Sequence, residues 1–190
     1  MTPMDEPEAR EALAKLEERL RRDTRDMLEV LRADVPVFFR RTVKALFEES
    51  DAADALDAAA VKRLKADADR RADEVAQVLG ARLEPLSAWL WDGAAPPPRE
   101  AKGLDEHPTV GPALAEVGAA LAQVLEAHGL PTTTRPAYRL PTYFVAGHYM
   151  KSLVEGYWQA LALHHDLAQR LAADAREDQR KARRARWDSV

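Results

Sequence analysis

The sequence contains no cysteine, which excludes a disulfide framework and thiolate chemistry and leaves any structural zinc to histidine and carboxylates. No apolar run approaches the ~18 residues of a membrane span, so no membrane contact is expected. The opening MTPMDEPEAR is acidic where a secretory leader would be basic and then apolar. These features together predict a cytoplasmic protein. Catalytic signatures are missing as well. There is no HExxH, GxGxxG, GxxxxGK[ST] or GxSxG, and none of the four serines adjoins a histidine. No glutamate has a histidine three residues later, as helical di-metal carboxylate centres require. No catalytic residue, metal ligand or cofactor is assigned, and a non-enzyme is expected.

What is present fits one folded unit. The chain has 190 residues, 46% of them hydrophobic, enough for a real core within a single domain over 1–190. The net charge of −4 is unevenly spread. The last eleven residues, RKARRARWDSV, hold five basic groups and one acidic, for +4, while the first 179 hold 23 basic and 31 acidic, for −8. An acidic body argues against broad phosphate-backbone binding, so nucleic acid is expected only through the basic tail, Arg180, Lys181, Arg183, Arg184 and Arg186. Arginine outnumbers lysine 21 to 7, which hints at a GC-rich bacterial genome.

The dominant period is helical. Leu13, Leu16, Leu20, Met27 and Leu31 recur at three- and four-residue steps and predict a first amphipathic helix over 7–33. Pro36 predicts a break or kink before a second helical run with Phe38, Phe39, Val43, Leu46 and Phe47. Asp57 is a candidate N-cap for a third helix with the stripe Leu64, Ala68, Ala72, Val75, Leu79 and Leu83, continuing past a kink at Pro85 to Trp89 and Trp91. A proline- and glycine-rich stretch, 93–111, reads as a flexible linker. Pro112 suits a helix start, and Gly129 with Pro131 suits its end. A last helix should run from about Pro141 to Trp187, closing in a charged tail over 176–190. The expected fold is an all-α antiparallel bundle of about five helices, three long and two shorter, with the linker between the third and fourth.

Half of the twelve aromatic residues fall between Arg135 and Trp158. On a helical projection Tyr143, Met150, Tyr157 and His164 align as a packing seam. Phe144 and Trp158 fall on the opposite face, beside His148 and Glu155, where a plain surface helix would not need them. Arg135, Tyr138 and Arg139 precede this helix and carry groups suited to an anion. The candidate partner- or ligand-binding residues are therefore Arg135, Tyr138, Arg139, Phe144, His148, Tyr149, Glu155 and Trp158.

Three functional readings follow. The first is a protein–protein interaction or adaptor protein, possible homo-oligomers included, using the aromatic helix face. The second is a small-ligand receptor with an aromatic pocket between helices. The most remote is an enzyme resembling helical metal-dependent phosphohydrolases, whose His-Asp doublet is matched here by His165 and Asp166; the other ligands of such a site are not evident.

Overall fold

The computed structural model describes residues 6–86, 89–91, 93, 95–100, 102–131 and 148–188. Four α-helices make up most of it: α1 (Glu6–Glu49), α2 (Ala58–Leu83), α3 (Val110–Ala127) and α4 (His148–Asp188). Two short 3-10 turns, Asp51–Ala55 and Leu104–Glu106, lie in the connections. No strand occurs among the described residues.

The first and second expected helices are one. α1 continues unbroken through Pro36 over 44 residues, a helical rise of about 66 Å at 1.5 Å per residue. A proline inside a helix costs about 3 kcal/mol through the missing N–H and its ring. Val35 and Phe39, on either side of it, are fully buried, and each such side chain contributes about 1.5–3 kcal/mol on burial. Packing on both sides of Pro36 thus offsets the local penalty.

Local chemistry sets the other boundaries. The Ser50 hydroxyl accepts from the Ala52 N–H at 3.2 Å, and Asp57 caps α2 through the Ala60 N–H at 2.7 Å, satisfying donors that the first helical turn leaves unpaired. α2 ends at Leu83, before Pro85, so Trp89 and Trp91 belong to the connection rather than to the helix. Pro112 sits in the first turn of α3, where no intrahelical partner for its nitrogen exists. At the other end Gly129 takes φ 71°. The Leu130 N–H then reaches the Leu125 carbonyl at 2.9 Å and the Gly129 N–H reaches Glu126 at 3.0 Å, a Schellman closure that needs a left-handed residue.

α1 is the spine. Along its first half runs α4, antiparallel, with Glu17 opposite His164 (3.3 Å) and Arg19 opposite the Gly156 carbonyl (3.4 Å). Along its second half runs α2, also antiparallel, with Arg32 at the Gly80 carbonyl (3.3 Å) and Arg40 at Asp69 (3.0 Å). α3 packs on α2 in turn, through Arg82–Glu116 at 2.6 Å and His128–Asp67 at 2.9 Å. By length and composition α3 does qualify as a possible membrane span, contrary to the expectation that no run would. Its apolar face, including Leu114, Val117, Leu121 and Leu125, is buried in the core.

Candidate functional site

The aromatic residues of α4 were the candidates for a site, and their surroundings come from the connection between α2 and α3. Two tryptophans of that connection grip α4 two turns apart. The Trp89 ring meets His164 edge-on at 4.9 Å, and the Trp91 ring lies 5.4 Å from Tyr157 and 4.6 Å from Trp158. His107 also meets Trp91 edge-on, at 5.3 Å. The two edge-on contacts have a favoured aromatic geometry, while Trp91 is tilted against Tyr157 and Trp158.

The polar atoms of Tyr157, Trp158 and His107 are taken up by backbone. The Tyr157 hydroxyl accepts from the Trp91 N–H at 3.1 Å and donates to the Trp91 carbonyl at 3.0 Å. The Trp158 indole N–H donates to the Lys102 carbonyl at 2.9 Å. Buried Thr24, on α1, donates to the Leu20 carbonyl at 2.9 Å and accepts the Leu90 N–H at 3.1 Å. His107 Nδ1 accepts from the Thr109 and Val110 N–H groups at 3.1 Å each, so its proton sits on Nε2, which donates to the Leu90 carbonyl. Burial holds the His107 pKa below its ordinary value, against an opposing effect of the Leu90 bond. Burial likewise raises the Tyr157 phenol, with the hydrogen bond to Trp91 partly opposing it.

Trp158 is therefore a core residue, 7% exposed, and not part of an outward aromatic face. The reason is the stretch that reads as a linker. Its described part carries a helical turn, buries Leu104, His107 and Val110, and lies over the side of α4 that a bare helical wheel leaves uncovered. Tyr157, Met150 and His164, on the predicted seam, are also buried.

The remaining candidates divide between surface and undescribed chain. Glu155 is exposed and pairs with Lys151 at 3.8 Å. His148 and Tyr149 open α4. Arg135, Tyr138, Arg139 and Phe144 lie outside the described residues, as does Tyr143 on the seam. For the metal-dependent reading, His164 engages Glu17 through Nε2 and its Nδ1 is buried without a partner, closed to substrate. His165 contacts Gln169 at 2.7 Å, and Asp166 is exposed. Among the described residues no group of three or more His, Asp or Glu is placed to hold a metal ion.

A different feature stands out at the end of α4. Every residue from Ala172 to Trp187 is exposed. Counting equal steps from the Glu17–His164 contact, Glu6 falls level with Ala175, so the thirteen residues 176–188 run past the first described residue of α1. That is about 20 Å of helix. At about 100° per residue, Arg176, Arg180, Arg183, Arg184 and Trp187 share one face of it, and Trp187 is 83% exposed. Lys181 is paired with Glu177 at 3.0 Å, which raises its pKa and lowers that of the glutamate through their hydrogen bond. Among the described residues the four arginines of that face have no ion-pair partner. The charge excess of the tail pointed to this element, but only the register of α4 against α1 sets it past the described start of α1.

Comparison with protein-family models, with curated proteins and with solved structures gives no match for this chain.

Proposed function

We propose that this chain is a non-enzymatic interaction protein whose recognition element is the projecting end of α4, and that its partner is an acidic protein surface. The observation that carries the reading is the face formed by Arg176, Arg180, Arg183, Arg184 and Trp187, exposed on a helix that extends past its packing partner. Guanidinium forks match carboxylates in a bidentate way, and arginine and tryptophan are among the residues enriched where binding energy concentrates. The acidic body, −8 over its first 179 residues, disfavours a polyanion such as duplex DNA beyond the arm itself. The burial of Trp158 counts against an interface on the aromatic face, and the exposed arginines favour this end. The aromatic-pocket alternative loses Tyr157 and Trp158, whose polar atoms already serve the fold.

Fluorescence anisotropy with a labelled glutamate-rich helical peptide and, separately, a labelled DNA duplex tests this at physiological salt. The peptide should bind saturably and the duplex should not compete with it. Binding of the duplex in preference to the peptide would replace this reading with nucleic-acid recognition.

A further inference from the structure

At the other end of the bundle, the last turns of α1 and the first turns of α2 leave a groove of about 410 Å³ between them. Its floor is apolar: Val43, Phe47, Val61, Leu64 and Ala68. Volumes of this order are those of small-molecule sites. Four cations and two carboxylates also line it, and they divide by partner. Arg40 is committed to Asp69 and Asp73, and Lys44 is paired with Glu48 at 3.6 Å. Arg41 and Lys65, one from each helix, are exposed and, among the described residues, have neither an ion-pair nor a hydrogen-bond partner.

The chemistry of an occupant follows from this division. The floor offers no directional polar group, so the buried part of the ligand must be hydrocarbon. The uncommitted charges are both positive, so the exposed part must be anionic. We infer that the groove binds a free long-chain carboxylate, its alkyl chain between α1 and α2 and its head at Arg41 and Lys65. The site is separate from the α4 extension and stands whether or not that element binds a partner.

Isothermal titration with dodecanoate below its micelle concentration tests the assignment, with dodecanol as the uncharged control and amide NMR shifts to locate the site. Dodecanoate should bind one to one, with shifts centred on Val43, Phe47 and Val61. Dodecanol should bind about tenfold more weakly or worse, and the double substitution Arg41→Gln with Lys65→Gln should bring dodecanoate to the same level, the loss of ~1.4 kcal/mol that tenfold represents. Both substituted side chains are exposed, so circular dichroism should be unchanged. A Val61→Trp variant, which fills the groove, should abolish binding with the cations intact. The inference is overturned by any one of three results: no saturable binding, as when another part of this chain occupies the groove; equal binding of dodecanol; or shifts that map to a different surface. Displacement of dodecanoate by the glutamate-rich peptide, with the peptide's shifts in the groove, would assign the groove to a protein partner instead.

Discussion

One tyrosine hydroxyl holds both backbone polar groups of one tryptophan: Tyr157 accepts from the Trp91 N–H and donates to the Trp91 carbonyl, at 3.1 and 3.0 Å. The Trp91 segment between α2 and α3 is thereby fixed to the third turn of α4. Replacing Tyr157 by Phe keeps the ring in its packing and orphans two backbone groups. It should cost about 1–3 kcal/mol, read as a lower urea midpoint with unchanged helix content.

Thr24 makes the parallel contact from α1, and its test separates hydroxyl from shape. Thr24→Val leaves the Leu90 N–H without its acceptor and should destabilise by about 1–3 kcal/mol. Thr24→Ser keeps the acceptor and should lose much less in the same denaturation series.

The His107 ring gives the fold a pH dependence whose sign is set. Burial lowers its pKa from the ordinary 6.5, so below that pH the unfolded chain binds a proton that the folded chain refuses. Stability from this group is complete above about 6.5 and falls as the pH drops through it toward the folded value. His107→Gln should remove this part of the slope between pH 7.5 and 5. An unchanged slope in equilibrium urea unfolding would show that the ring contributes nothing to it.

Two glycines should respond in opposite directions. A Cβ on Gly111 would stand 2.2 Å from the Asp105 carbonyl oxygen, so Gly111→Ala must displace the 3-10 turn before α3 and lower the melting temperature. A Cβ on Gly80 meets nothing nearer than the Arg32 side chain at 4.0 Å. There Gly80→Ala should stabilise by about 0.5–1 kcal/mol through helix propensity.

Much of the architecture was legible in the spacing of apolar residues. The stripe Leu64 to Leu83 is the buried face of α2, and Asp57 and Gly129 perform the cap roles their residue types imply. What periodicity could not supply was non-local. Whether a helix survives Pro36 depends on what buries Val35 and Phe39. Whether Trp158 faces water depends on a segment some sixty residues earlier whose prolines and glycines read as a linker. Trp89 and Trp91, two residues apart, do not follow the helical period, and that departure was the available sign that they belong to a strap across α4. The candidate site shifted for the same reason, from the aromatic residues to the charged end of the helix.

The most direct test of the interaction reading compares the full chain with one ending at Ala175 and with the fourfold reversal of Arg176, Arg180, Arg183 and Arg184 to Glu, by titration against the glutamate-rich peptide. All three should unfold at the same urea concentration, because residues 172–187 are exposed, and only the full chain should bind, with affinity that falls as salt is raised. Equal binding by all three proteins would contradict the account and place the partner surface elsewhere on the bundle.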